Sequence, residues 1–216
     1  MELDIFFKVY IIESPSSEDL LIDRREGTSL SSIFKLENIL YEYYLVIDKN
    51  AFIQAINLIK EDMIELQYED MRESQIFPII HLSCHGDDEC ISLSSGECVC
   101  WDDLNKIINE QNLNLVFEEV GINSLTLSMS SCYGLYAIYA DKDVKGKSPF
   151  AYILGHEDEI RWDDSLIAFA TFYHNLINKN LTFVDSVKCM NNSINSPDFF
   201  KLFHSYDTYN LFTKPE

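Results

Sequence analysis

The sequence predicts an α/β domain, a mostly parallel sheet covered by helices. Three observations predict it. Runs rich in aromatic and β-branched residues alternate along the chain with stretches that carry apolar residues at helical spacing. One of those runs, IFPIIHLS at 76–83, is continuously apolar, as a strand buried on both faces must be. A length of 216 residues with 47% apolar character also suffices for one domain with a sizeable core.

In chain order, DIFFKVYII (4–12) reads as a strand, ended by the turn-like ESPSSED, and DRREGTSL (23–30) reads as a polar loop. YEYYLVID (41–48) is a second strand that feeds a helix over 51–67, with Asp48 or Asn50 as its cap. The strand at 76–83 is followed by a hairpin and by a helix from WDDLNKIINEQ (101–111). SLTLSMSS (124–131) is strand-like, and YGLYAIYA can start a helix directly after it. FAYILG (150–155) is a fifth strand, and DDSLIAFATFYHNLI (163–177) a helix with two acids in its first turn, where the dipole favours them. No repeat or linker divides the chain, so a single domain over 1–216 is expected, with a strand–helix part at 1–73 and a catalytic part at 74–193.

Sixteen basic against thirty-six acidic residues give a formal charge of −20. That charge repels a phosphate backbone or an anionic membrane over most of the surface and favours basic partners. Neither a signal peptide nor a run of about 18 apolar residues is present, and six cysteines without secretory features read as reduced thiols. A cytoplasmic protein without nucleic-acid or membrane partners is expected, in a composition compatible with a bacterial cytoplasm.

In an open α/β sheet the site lies outside the carboxyl ends of the strands. Two stretches qualify. His85-Gly86 follows one strand and Cys132 closes another, 47 residues later. One crossover between them makes their strands neighbours or near neighbours in a right-handed unit. A cysteine attacks a carbonyl as thiolate; an imidazole beside it can take its proton and protonate the leaving amine. The N–H groups of Gly86 and Cys132 can form an oxyanion hole.

These residues, in the order strand-HLSCHG, a Gly- and Ser-containing hairpin, W-x-x-L and LTLSMSSCYG, resemble the caspase-like cysteine peptidases, and among them the CHAT domains, which are similar to separase. The segment FAYILGHEDEIRWDDSLIAFATFYHNL looks like the family's strand, Trp-Asp segment and Phe-Tyr helix. The resemblance covers roughly 74–193, and IIESPSSEDL and REGTSL look like openings seen on such domains. It implies a caspase-like three-layer α/β/α sandwich, peptide-bond hydrolysis without a cofactor, a bacterial defence setting and a His85/Cys132 dyad. It also implies a basic P1 side chain held by Asp163 or Asp164, with Asp87 and Asp88 as rival pocket residues. The chain departs from the pattern at Cys90, where a glycine is usual. Gln-Ala-Cys is absent, so no preference for aspartate is expected.

The expected partners are a protein substrate and a regulatory or activating protein, because nothing in the chain reads as a sensor. The exposed loop DKDVKGKSP (141–149) offers self-cleavage after Lys145 or Lys147. Two rival readings stand beside the peptidase. One is a non-catalytic interaction module on the same fold; the other is a zinc protein built on Cys84, Cys90, Cys98 and Cys100. The spacing disfavours zinc, since Cys98-x-Cys100 falls on one face of a hairpin strand and suits ordinary burial. His81 reads as a core residue of the strand that leads to His85.

Overall fold

The computed structural model describes residues 4–69, 74–110, 125–141 and 150–204. Lys145 and Lys147 of the expected self-cleavage loop lie outside them. The elements run β1 (Asp4–Ser14), α1 (Ser17–Leu21), α2 (Glu26–Glu37), β2 (Leu40–Leu45), α3 (Lys49–Glu69), β3 (Ser74–Gly86), β4 (Cys90–Ser92) and β5 (Cys98–Cys100). There follow α4 (Trp101–Glu110), β6 (Thr126–Met129), a 3-10 helix (Gly134–Asp141) and β7 (Tyr152–Gly155). Last come α5 (Trp162–Tyr173), which continues as a π-helical turn to Asn178, α6 (Phe183–Ser193) and β8 (Lys201–His204).

The strand order is β2-β1-β3-β6-β7-β8. All pairings along it are parallel except β7 with β8. Alternation along β1 builds both faces at once. Tyr10 and Ile12 join a core with Phe52, Ile56 and Ile59 of α3 and Leu104 and Ile108 of α4. Val9 and Ile11 face Leu30 and Phe34 of α2 and Phe169 and Tyr173 of α5. The result is the expected three-layer α/β/α sandwich with a mostly parallel sheet. Beyond the carboxyl end of β3 the chain folds back through β4 and β5 as an antiparallel hairpin.

Two expectations are corrected. DRREGTSL is not a loop throughout, because α2 begins at Glu26 within it and buries Glu26, Leu30 and Phe34 along one stripe. Its N-terminus has no side-chain cap of its own. Instead Glu13, at the end of β1 and 1% exposed, accepts from the Gly27 and Thr28 amides at 2.8 and 3.1 Å. Gly27 lets the helix close on that strand, since a Cβ there would lie 2.9 Å from Ile11 Cγ2. The turn-like ESPSSED likewise ends in α1, where Ser16 caps the helix by accepting from the Asp19 amide at 3.1 Å. Of the two candidate caps for α3, Asp48 does the work, accepting from the Ala51 amide at 2.8 Å.

Candidate active site

β3 and β6 are direct neighbours, with Leu82 opposite Met129 and the Ser130 amide donating to the Leu82 carbonyl at 3.0 Å. The carboxyl ends of the two strands therefore bring His85-Gly86 and Cys132 to one edge of the sheet. Gly86 lies against the turn after β6. A Cβ at that position would sit 2.7 Å from the Cys132 carbonyl oxygen and 3.1 Å from Ser131 Cβ. No side chain larger than hydrogen fits there without moving backbone.

Cys132 is half-buried on a tight turn. Tyr133, the next residue, takes a left-handed φ of 56° although it is not glycine, a conformation that stores about 1–3 kcal/mol. Its amide donates to the Asp158 carbonyl at 3.0 Å and the Gly134 amide to the Ser131 carbonyl at 3.1 Å. The Cys132 sulfur accepts from the Ile160 amide at 3.4 Å and faces the Ile160 carbonyl at 3.7 Å. Among the described residues no hydrogen bond joins the His85 ring to this sulfur.

His85 is held by a residue that sequence reasoning did not single out. Its Nε2 lies 2.7 Å from Asp19 Oδ2, and its ring meets Trp162 edge-on with centroids 5.2 Å apart. The imidazole side chain is 45% exposed, whereas that of Asp19 is only 7% exposed. Burial pushes the Asp19 carboxyl up, but hydrogen bonds from Ser16 and His85 outweigh it and hold the group below its ordinary range. With Nε2 engaged, Nδ1 is the ring nitrogen left for other chemistry. The one available signal was Ser-x-x-Asp directly after a strand end, which reads first as a helix start.

A cleft of about 790 Å³ opens beside His85, lined among others by Asp19, Glu26, Ile160, Arg161, Trp162 and Asp163. The four candidate pocket acids fare differently. Asp163 lines the cleft but is exposed and paired in bidentate fashion with Arg161, at 2.9 and 2.7 Å. That guanidinium pulls its carboxyl down to about 2. Asp164 is half-buried in the first turn of α5, outside the cleft lining. Asp87 is occupied in its own loop, accepting from the Glu89 and Cys90 amides, each at 2.8 Å. Asp88 is exposed, and its carbonyl accepts from Trp101 Nε1 at 3.0 Å.

His81 is fully buried, with Nδ1 3.1 Å from the Tyr173 hydroxyl and Nε2 3.3 Å from Glu26 Oε2. It belongs to the core and not to the cleft. The expectation that Cys98 and Cys100 are buried is overturned, because Val99 points inward and both cysteines face solvent. Among the described residues no group of three or more His, Cys, Asp and Glu side chains is arranged to hold a metal ion. No helix among them is long and apolar enough to cross a membrane.

No protein-family model and no curated protein sequence matches the chain. Solved structures do match. One is iotapain, a secreted C11 cysteine protease from Bacteroides thetaiotaomicron, with a TM-score of 0.55 and 14% identity over 97% of this chain and 69% of that one. Another is the Arg-specific cysteine proteinase gingipain R, with a TM-score of 0.53 and 10% identity over 92% of this chain and 46% of that one. This chain spans under half the length of the gingipain R chain. At such identities the likeness is one of fold, and the chain has the caspase-like α/β architecture that these cysteine proteases share.

Proposed function

We propose that the protein is a cysteine endopeptidase, of the kind the CHAT and separase-like resemblance implies. The observation that carries this reading is the meeting of three elements at one sheet edge. They are a cysteine after β6, a histidine at the carboxyl end of β3 that is hydrogen-bonded to a buried carboxylate, and a glycine packed against the cysteine's backbone.

The Cys132 thiolate attacks the scissile carbonyl carbon, forming a C–S bond as the carbonyl electrons move to oxygen. The Gly86 and Cys132 amides stabilise that oxyanion. The tetrahedral centre collapses with cleavage of the C–N bond, and His85 delivers a proton to the leaving amine. Water, deprotonated by the same imidazole, then hydrolyses the thioester, and the sulfur leaves as thiolate, restoring the starting pair. Asp19 orients the ring through Nε2 and stabilises its charged form, as the carboxylate does in serine peptidase triads. The absence of a direct bond between ring and sulfur suits this sequence, since the leaving nitrogen passes between them.

A basic P1 residue is the second part of the proposal. The cleft lining holds Glu18, Asp19, Asp23, Glu26 and Asp163 against Arg24, Arg25 and Arg161. Two of the three guanidiniums are already paired, Arg25 with Asp23 and Arg161 with Asp163. The excess is negative, in line with the overall charge. Asp163 takes the P1 cation by exchanging it for Arg161; Asp164 is the reserve position. Control by a partner protein completes the reading. It is supported by α1, which buries Asp19 and leaves Leu21 87% exposed. A cytoplasmic setting suits the six free thiols.

The test is cleavage of a positional peptide library by the wild type and by Cys132→Ala. Cleavage after Arg or Lys that vanishes in the variant is expected. Cleavage that persists in Cys132→Ala excludes the proposed nucleophile. A folded wild type that cleaves nothing, alone or with partners from its source, indicates an interaction module.

A further inference from the structure

The β4–β5 hairpin holds three thiols that the proposed reaction does not use. Cys90 is paired with Cys100 and Ser92 with Cys98, so all three cysteines project from one face while Ile91 and Val99 pack into the core. The hydrogen bonds fix which kind of pair Cys90–Cys100 is. The Leu93 amide donates to Glu97 at 2.8 Å and the Trp101 amide to Glu89 at 3.3 Å. Hydrogen-bonded positions alternate with non-hydrogen-bonded ones along an antiparallel ladder. With 93/97 and 89/101 in the first class, 91/99 joins them and 90/100 falls in the second. Residues in that class stand about 4.5 Å apart at Cα with their side chains close. That is inside the roughly 4.4 to 6.8 Å a disulfide needs. Cys98 is diagonal to Cys90, and diagonal partners stand about 7–8 Å apart. The Cys90 thiol itself lies 4.0 Å from Asp87 Oδ2.

From this arrangement we infer that Cys90 and Cys100 form a reversible redox site, oxidised to a cross-strand disulfide by a peroxide and reopened by a thiol reductant. Cys100 is exposed and meets the oxidant first. Its sulfur takes one peroxide oxygen to become a sulfenic acid, with the other oxygen leaving as water. The Cys90 sulfur then displaces the sulfenic oxygen as a second water. Two thiols and one peroxide thus become one disulfide and two waters, and the two electrons end on oxygen. Burial pushes the Cys90 thiol up to about 12, so Cys90 suits the resolving role and not the first attack.

The consequence is local. Asp87 donates its amide to the Cys90 carbonyl at 3.0 Å and accepts the Cys90 amide at 2.8 Å, immediately after His85-Gly86. A disulfide at Cys90 therefore fastens the loop beside the candidate active site to β5. This inference does not depend on peptidase activity.

The test treats the reduced full chain with stoichiometric hydrogen peroxide, then alkylates the remaining thiols and maps peptides. Two thiols become protected, the Cys90 and Cys100 peptides are joined, and dithiothreitol restores both. Cys98→Ser still forms the link, whereas Cys100→Ser, a change at an exposed position, does not. Six alkylated cysteines after peroxide, stable oxygen adducts without a link, or a link between Cys90 and Cys98 would each overturn the assignment.

Discussion

At the residue scale, the candidate site depends on a few contacts that single substitutions can break. Cys132→Ala removes the proposed nucleophile, and turnover should vanish while the melting temperature stays near wild type. Asp19→Asn keeps the shape of α1 but loses the charge facing His85. It should lower kcat by roughly 10² or more with KM little changed, because it acts on the ring and not on the substrate. Since Asp19 titrates lower in the folded than in the unfolded chain, its contribution to stability is present above the ordinary carboxylate range and is lost as pH falls through it. Acid titration of the wild type and Asp19→Asn, followed by circular dichroism, should show a shallower acid decline in the variant. Gly86→Ala drives a methyl into the Cys132 carbonyl and should cost about 1–3 kcal/mol as well as activity. The candidate residues His85, Gly86 and Cys132 stand out in the sequence because each lies at or just past the carboxyl end of an apolar strand. Asp19 was not, because a Ser-x-x-Asp helix start hides a contact made 66 residues further on.

At the scale of elements, legibility followed where an element gets its support. The helix over 51–67 carries its own cap at Asp48 and its own apolar stripe, so periodicity revealed it. α2 borrows its N-terminal acceptor from Glu13 of β1, and EGTSL alone carries no local helix signal. Glu13→Ala strands the Gly27 and Thr28 amides and should lower stability by at least about 2 kcal/mol in urea unfolding. The hairpin's cysteines were misread for a related reason: an apolar-looking Cys-x-Cys face is outward when the residue between, Val99, is the one the core takes. At the end of β7, His156 is fully buried against Phe199 and Phe200, with ring centroids 4.8 and 5.1 Å away. Burial pushes it down from 6.5 to about 4. The unfolded chain binds that proton first, so stability from this site is full above 6.5 and falls as pH drops toward 4. His156→Asn should flatten the decline in that window, read from denaturation midpoints at each pH.

At the scale of the whole molecule, alternating strands and helices made the three-layer sandwich readable, because each element's burial pattern follows from its place in the sheet. The charge of −20 is equally legible, and it bears on rate. If cationic substrates are drawn to an acidic protein, kcat/KM for an Arg-P1 peptide should fall as salt rises from 50 to 500 mM, roughly tenfold, while kcat changes little. Covalent labelling with an arginyl acyloxymethyl ketone, located by intact mass and peptide mapping, probes whether Cys132 is a nucleophile activated by an Asp19-held His85. One label is expected, on Cys132, formed slowly or not at all in His85→Ala. A label on another cysteine, or one that forms on Cys132 at the same rate without His85, would contradict it.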